Sequence, residues 1–225
     1  MKHALPVLAA ALVLSACGSN PDRAPTFRGG AGGDAAYGRG LQALESGETE
    51  QAYEYFACAA QFGGGYEVAW YYAGTTALTL ASQGGPDAAT YLEDGEHYLE
   101  RSGNAGWGAS QAALAEHFHA QGNATDAYYW TLMYTNNVRE ISLGLTRMDS
   151  DTIEAISNAA SDEDITSAQQ RVARFVPDPI PLGRPSEECN EAIRGDRERQ
   201  PRERNQIVRP QRTGPPGTRR PGSPY

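Results

Sequence analysis

The sequence predicts an all-α protein built from short helices that follow one another in pairs between two proline-rich ends. Of the 14 prolines, Pro86 alone lies in the central part of the chain, and none lies between Asp87 and Val176. Alternating apolar and polar residues, which are typical of half-buried strands, are scarce there, and alanine, a strong helix former, is abundant. Glycine-containing turns recur between the apolar segments and mark where helices end.

Composition excludes several classes of protein. The chain has 225 residues, of which 40% are hydrophobic and 21% charged, with a formal net charge of −9. It is long enough for one ordinary domain and too polar for a multi-span membrane protein. Three cysteines are too few for a disulfide-dense scaffold. The negative charge argues against nucleic acid as a partner.

The first 16 residues have the organisation of a signal peptide. A short positive segment precedes an apolar run from Ala4 to Leu14, and this run is shorter than the roughly 20 residues that span a bilayer. It ends in Leu14-Ser15-Ala16-Cys17, which resembles the lipobox of bacterial lipoproteins. The resemblance implies cleavage before Cys17 and acylation of its thiol and its new amino group. The alternative is an ordinary secretory signal followed by a chance cysteine.

The residues after the cysteine predict a tether. Gly18 stands where an aspartate tends to retain bacterial lipoproteins in the inner membrane. The resemblance therefore implies attachment to the outer membrane, facing the periplasm of the cell envelope. Residues 17–33 form the lipidated cysteine and a Gly/Pro/Asn-rich tether that would span roughly 20–24 Å.

Residues 34–140 are expected to form three helix pairs. The segment Gly47–Tyr55 matches Gly122–Trp130, and half of their offset falls on Gly84-Gly85, which indicates a period of about 37 residues. The predicted helices are 34–46 and 49–62, then 66–82 and 87–102, then 105–121 and 125–139.

These segments resemble a known repeat family. Gln51–Gly63 looks like the second helix of a Sel1-like repeat, a relative of the tetratricopeptide repeat. Gly106–Ala115 is similar to the first helix of such a unit, and Asp126–Trp130 to a second helix. The resemblance implies a short α–α solenoid. The middle unit departs from the family pattern because Asp94-Gly95 interrupts its second helix.

Two more helices are predicted after the repeats. They cover Asp149–Asn158, with Ser150 or Asp151 as N-cap, and Asp162–Phe175, with Ser161 as N-cap. Residues 141–176 resemble the closing segment of Sel1-type chains. The resemblance implies a capping pair for the open apolar end of a repeat stack.

From Pro177 the composition becomes proline- and arginine-rich, which predicts a disordered tail over residues 177–225. Residues 193–225 carry nine arginines and three acids, whereas residues 34–176 have a net charge of −14. The tail is interpreted as a solvated end, as a contact for anionic envelope material, or as a docking strip for a protein, including its own acidic body. The arginines expected to make anionic contacts are Arg197, Arg199, Arg202, Arg204, Arg219 and Arg220.

Cysteines and aromatic residues are the other candidate site residues. Cys58 and Cys189 would be the remaining thiols after lipidation of Cys17. In an oxidising periplasm they could pair, or one could be a buried small hydrophobe and the other a free thiol. A binding surface is expected from one or two exposed aromatic residues per repeat, although most aromatic residues should belong to the core. The candidates are Trp70, Tyr72, Trp107, Tyr129 and Trp130.

No catalytic, metal or cofactor site is predicted. His117 and His119 are two residues apart and would point away from each other on a helix, and no H-E-x-x-H or paired C-x-x-C occurs. Gly63-Gly64-Gly65 lacks the preceding strand and following lysine of a phosphate loop. No nucleophile constellation or small-molecule substrate is identified.

The sequence thus favours a non-catalytic, lipid-anchored scaffold that binds an envelope protein or peptide through its repeat surface. One alternative is a structural envelope protein whose arginine-rich tail binds an anionic surface. The other is an envelope enzyme, for which Glu116 and His117 would be the first residues to mutate.

Overall fold

The computed structural model describes residues 31–194, which form ten helices and contain no β-strand. The all-α prediction is confirmed for this range. The signal peptide, Cys17 and the six candidate arginines of the tail lie outside the described residues. Among residues 31–194, no helix has both the length and the apolar character that membrane crossing requires.

The helices follow the predicted order. Their bounds are α1 (Ala31–Glu45), α2 (Thr49–Ala60), α3 (Glu67–Gln83), α4 (Ala88–Asn104), α5 (Gly108–Ala120), α6 (Ala124–Thr135), α7 (Val138–Leu143), α8 (Ser150–Ala159), α9 (Asp162–Ala173) and α10 (187–194).

Helices α1 to α6 pack as three pairs, and α2 also packs on α3, and α4 on α5. Each pair is joined by a turn that contains glycine at positive φ: Gly47 (φ 78°) in the first, Gly84 (φ 77°) and Gly85 (φ 111°) in the second, and Gly122 (φ 75°) in the third. Glycine adopts this conformation without the steric cost that a Cβ brings. The turn glycines therefore end the first helix of each pair.

Helix α4 continues through the predicted interruption at Asp94-Gly95. A Cβ at Gly95 would lie 2.6 Å from Leu78 Cδ2, and one at Gly74 would lie 2.6 Å from Leu99 Cγ. The two glycines thus let α3 and α4 approach closely, each receiving a leucine of the other helix. Packing against α3 outweighs the low helix propensity of glycine.

The N-cap residue of α8 differs by one position from its prediction. Asp149, one residue before the predicted N-cap, accepts a hydrogen bond from the backbone N of Thr152 (2.7 Å). Ser161 caps α9 as predicted and forms a capping box with Asp164. Helices α8 and α9 both pack on α6, so they cover the apolar side of the third pair.

The start of the predicted disordered tail is ordered. Residues 177–194, here called the strap, run back across the helix stack from its last pair to its first. The backbone N of Asp178 donates to the Asn104 carbonyl (3.0 Å), and the backbone N of Gly183 donates to the Phe62 carbonyl (3.0 Å). Prolines prevent a helix in the first part of the strap. The side chain of Ile180, which belongs to this part, is nevertheless buried (6% exposed). Composition alone misses such isolated apolar anchors.

Candidate functional site

Most of the predicted surface aromatic residues belong to the core. Trp107, Tyr129 and Trp130 are buried, which corrects the expectation that they present a binding surface. The Arg139 guanidinium covers the Trp107 ring at 4.3 Å, and the Arg171 guanidinium covers the Tyr129 ring at 3.8 Å. These stacked cations close the aromatic faces that a partner would use.

Trp70 and Tyr72 are half-buried and point to different neighbours. The Tyr72 ring stacks on Phe56 (centroids 4.9 Å apart), whereas the Trp70 ring meets the edge of Tyr98 (5.3 Å). Within residues 31–194, the indole Nε1 atoms of Trp70 and Trp107 are buried without a hydrogen-bond partner. The five predicted aromatic residues therefore do not form one continuous surface.

The structure offers a different surface, a groove between α3, α5 and the segment after α7. It has a volume of about 260 Å³. Its lining consists of Tyr71, Ala109, Ala112, Ala113, Glu116, Thr146 and Arg147. Three alanines on one face of α5 leave room between the helices, and the longer side chains stand around them. The groove thus has a small-residue floor and a polar rim.

The two charged side chains of the rim, Glu116 and Arg147, have different electrostatic surroundings. Partial burial, and to a smaller degree the nearby Asp149 carboxylate, raise the pKa of Glu116. Arg147 is bound to a buried acid, because its Nε donates to Glu140 Oε2 at 2.6 Å. Glu116 and the nearby Asp149 make this side of the rim acidic, whereas Arg147 shares the Glu140 carboxylate with Arg139.

The buried Glu140 carboxylate holds the Arg147 side chain in place. Its side chain is 2% exposed, and its other oxygen accepts a hydrogen bond from Arg139 Nη1 (3.1 Å). A Cβ at Gly108 would overlap the Glu140 side chain, so glycine is needed where the carboxylate passes the start of α5. The backbone N of Arg147 also donates to Tyr134 Oη (2.7 Å). The arginine is consequently held by both its side chain and its backbone.

Hydrogen bonds between buried side-chain amides and backbone carbonyls hold the same side of the groove in place. Gln111 Nε2 donates to the Gly103 carbonyl (2.9 Å), and Gln111 Oε1 accepts from Asn137 Nδ2 (2.8 Å). Asn137 Nδ2 also donates to the Gly106 carbonyl (3.0 Å). These bonds connect the turn between α4 and α5 with the N-terminus of α7, so they position the segment that carries Arg147.

Helix α7, next to this segment in the chain, carries three exposed apolar residues. Val138 is 78% exposed, Ile141 64% and Leu143 52%. The sequence predicts a single helix over residues 125–139. In the structure α6 ends at Thr135, and the Asn137 side chain caps α7 by accepting a hydrogen bond from the backbone N of Arg139 (3.0 Å). Asparagine before a helix is a recognised start signal. It was available in the sequence as Asn136-Asn137.

The histidines and acids do not make a metal site in the described range. His117 Nε2 lies 2.9 Å from Glu96 Oε1 and also contacts Gln121, on the side of α5 that faces α4. Among residues 31–194, no group of three or more histidine, cysteine, aspartate or glutamate side chains could hold a metal ion.

Cys58 and Cys189 form a disulfide with their Cα atoms 5.3 Å apart. The sequence had left this pairing open against a buried thiol. Both cysteines are buried (6% and 5% exposed), so the bond joins α10 to α2 inside the packed surface. A second cavity of about 420 Å³ lies along this junction, lined in part by Glu54 and Glu188.

The supporting residues Glu140, Gln111 and Asn137 were not predicted as site residues. Nothing in the local sequence indicates that Glu140 is buried, because an Arg-Glu pair on a short helix is usually solvated. Comparisons of the chain with protein-family models, curated proteins and solved structures find no match.

Proposed function

We propose that this protein is a lipid-anchored, non-catalytic scaffold of the bacterial envelope that binds a basic segment of a partner protein in the groove around Ala113. The groove is the observation that carries the proposal. Its floor of small residues is open, its Arg147 side is held by buried polar contacts, and Glu116 with the nearby Asp149 supplies acidic groups at the rim. The lipid anchor is supported by the lipobox resemblance at Cys17.

The proposed architecture is a short solenoid of Sel1-like helix pairs closed by a capping pair. The glycines that turn each pair, Gly47, Gly84 and Gly122, have nearly the same φ and lie at almost equal spacing in the chain. Ala52 and Ala127, which stand five residues after the first and third of them, are both fully buried. Equal burial at equivalent positions supports a structural repeat.

The size and lining of the groove favour a peptide over a small molecule. At about 260 Å³ it is smaller than the roughly 300–1,000 Å³ of typical ligand pockets. Alanines on the floor leave space for one or two side chains of a passing chain. Val138 and Ile141, three residues apart on one face of α7, are exposed shortly before the segment that lines the groove and would contact apolar residues of the partner.

Charge indicates what kind of segment would bind. Residues 34–176 have a net charge of −14, and Glu116 is the acid that lines the groove. A basic segment would be steered towards this surface, and its association rate would fall as salt concentration rises. An acidic segment would meet repulsion from every helix pair.

The test is site-specific photocrosslinking in intact cells, with the crosslinking residue at position 113 and, as a matched control, at exposed Thr90 on α4. We expect one partner to be crosslinked from position 113 and not from position 90. Filling the groove with Ala113→Trp should reduce capture of that partner by purified protein at least tenfold, because the floor is lost.

Thr90→Trp adds the same ring outside the groove and should leave capture unchanged. Deleting residues 195–225 should also leave it unchanged. Equal capture by Ala113→Trp and the unaltered chain would overturn the proposal, provided that circular dichroism shows the variant to be folded.

A further inference from the structure

The cavity at the junction of α2 and α10 is separate from the groove and larger than it. Its volume of about 420 Å³ lies within the roughly 300–1,000 Å³ of typical ligand pockets. One wall consists of α2 residues and the C-cap Gln61, and the other of strap residues between Ser186 and Ala192. The cavity therefore exists because the strap returns to the first helix pair.

The two walls are joined by a covalent bond and a hydrogen bond. Cys58 and Cys189, which form the disulfide, both line the cavity. At the start of α10, the backbone N of Ser186 donates to Gln61 Oε1 (2.7 Å), and the backbone N of Cys189 donates to Ser186 Oγ (3.2 Å). These bonds fix the walls relative to each other, so a ligand would enter a cavity that is already formed.

Each wall contributes a carboxylate. Glu54 lies on α2 and Glu188 on α10, and both line the cavity. Within residues 31–194, neither of them takes part in an ion pair. Arg194, on the same helix as Glu188, is paired with Glu187 instead. Two acidic groups thus face the cavity from different segments of the chain, which favours a positively charged ligand over an anion.

Two tyrosine rings belong to the same lining. Tyr53 Oη donates to Asp94 Oδ2 on α4 (2.6 Å), which holds the ring and brings a third carboxylate next to it. The Arg39 guanidinium lies 5.8 Å from the centre of the Tyr55 ring and donates to the Ala192 carbonyl (3.3 Å). Tyr55 and Ala192, one from each wall, thus already accommodate one guanidinium group of the protein itself.

We propose that this cavity binds a small organic cation, an alkylammonium or guanidinium group, between Glu54 and Glu188. Carboxylates on two walls supply charge-assisted hydrogen bonds, and tyrosine rings attract organic cations through their faces. A metal ion fits less well, because among residues 31–194 no group of three or more side chains could hold one.

The disulfide makes binding depend on the redox state of the chain. A dithiol that reduces the bond becomes a disulfide itself, and Cys58 and Cys189 each gain a hydrogen atom. The covalent link between the two walls is then lost. A cation that contacts Glu54 and Glu188 at once would lose one of these contacts as the walls separate, so the oxidised chain is the binding form.

The first experiment measures the binding of agmatine, which carries a guanidinium and an ammonium group, to the purified full-length chain by calorimetry. We expect saturable binding that weakens at high salt. Glu54→Gln combined with Glu188→Gln keeps the size of both side chains, removes their charge and should weaken binding at least tenfold. Glu154→Gln combined with Glu163→Gln removes two exposed acids from α8 and α9 and should bind like the unaltered chain.

Equal binding by the two double variants would overturn the proposal. So would displacement of agmatine by an equal concentration of Ca²⁺, which would assign the acids to ordinary counterions. Putrescine and a short peptide with one internal lysine then compete with agmatine. The stronger competitor shows whether a free amine or a basic side chain is the natural source of the cation, and failure of both to compete contradicts the proposal.

The second experiment locates the site and tests the disulfide. In ¹⁵N NMR spectra, agmatine should shift the amide signals of α2 and α10 and leave those of α8 and α9 in place. The Cys58→Ala/Cys189→Ala variant should bind at least fivefold more weakly while circular dichroism shows it to be helical. Unchanged binding by this variant would contradict the role of the disulfide. Ala113→Trp should bind agmatine normally, so this proposal and the proposed function fail separately.

Discussion

The two ends of the helix stack are closed by different chemistry. At the first pair, the strap covers the turn between α2 and α3 and is locked to α2 by the Cys58–Cys189 disulfide. At the third pair, α8 and α9 pack on α6, and a buried carboxylate, Glu140, holds the segment between α7 and α8. One end depends on a covalent bond to distant residues, and the other on local packing and charge.

This difference shows how a short stack satisfies both of its open ends. Repeat units bury their apolar faces against neighbours, so the first and last units need a cover. The last pair receives it from the residues that follow directly in the chain. The first pair is covered by a segment that returns from the opposite end of the body. We therefore expect the two ends to respond to different perturbations.

The largest effect is expected from removing the disulfide with Cys58→Ala and Cys189→Ala. The bond joins residues 131 positions apart, and closing so long a loop should stabilise the folded state by about 4–5 kcal/mol on the chain-entropy account. Urea unfolding measures this loss. Hydrogen exchange should show lost protection in α1, α2 and α10, with α8 and α9 little changed.

Reduction of the unaltered chain by a phosphine is the control and should reproduce the effect. A loss of protection spread evenly over all helices would contradict the separation of the two ends.

A smaller effect, at the other end, is expected for Glu140→Ala. The carboxylate is 2% exposed and binds both Arg139 and Arg147, so its removal leaves a largely buried guanidinium without its partner and should cost about 3 kcal/mol. Denaturant unfolding measures the cost. Glu154→Ala, on the exposed side of α8, should change stability by less than about 0.5 kcal/mol.

Exchange protection should now fall in α7 and α8 and be retained in α10. If α10 loses protection as much as α7 does, the cap end and the strap end unfold as one unit and the comparison is wrong.

The smallest effect is expected for Tyr66→Phe at the strap end. Tyr66 Oη donates to Asp34 Oδ1 at 3.0 Å, and losing this bond should cost about 1 kcal/mol. Burial, and then the hydrogen bond to Asp34, raise the pKa of Tyr66 to about 12. Because the folded-state pKa is raised, the unfolded chain loses its tyrosine proton first. The stabilisation is complete below about pH 10, the ordinary tyrosine pKa, and is lost as the pH rises towards 12.

The difference in unfolding free energy between the two chains should therefore shrink from pH 9 to about pH 11. Other tyrosines titrate in both chains and cancel. A difference that stays constant over this range would show that Tyr66 does not release its proton on unfolding.

The helices and their turns could be predicted because their causes are local. Glycine at positions 47, 84 and 122 is the residue that a left-handed turn requires, and Ser161 with Asp164 is a capping box visible in four consecutive residues. Gly95 was misinterpreted because its reason, the leucine of the facing helix, is not local. A glycine that breaks an isolated helix can join two packed ones.

The groove and the strap could not be predicted because both depend on contacts between distant residues. Composition correctly excludes a helix at the prolines after Val176, but it does not show that Ile180 and Ile193 find buried places on the first helix pairs. The aromatic residues failed as site candidates for a similar reason. Large rings predict burial as readily as binding, and the cations that cover Trp107 and Tyr129 come from other helices.

The covalent bond between Cys58 and Cys189 also decides how the molecule carries mechanical load. A pulling force applied between the N-terminal and C-terminal segments would pass along α1 and α2, cross the sulfur atoms and leave through α10. The 130 residues inside the covalent ring lie off this path. Tension between the two segments would therefore leave the groove undistorted, whereas the reduced chain would transmit it through every helix.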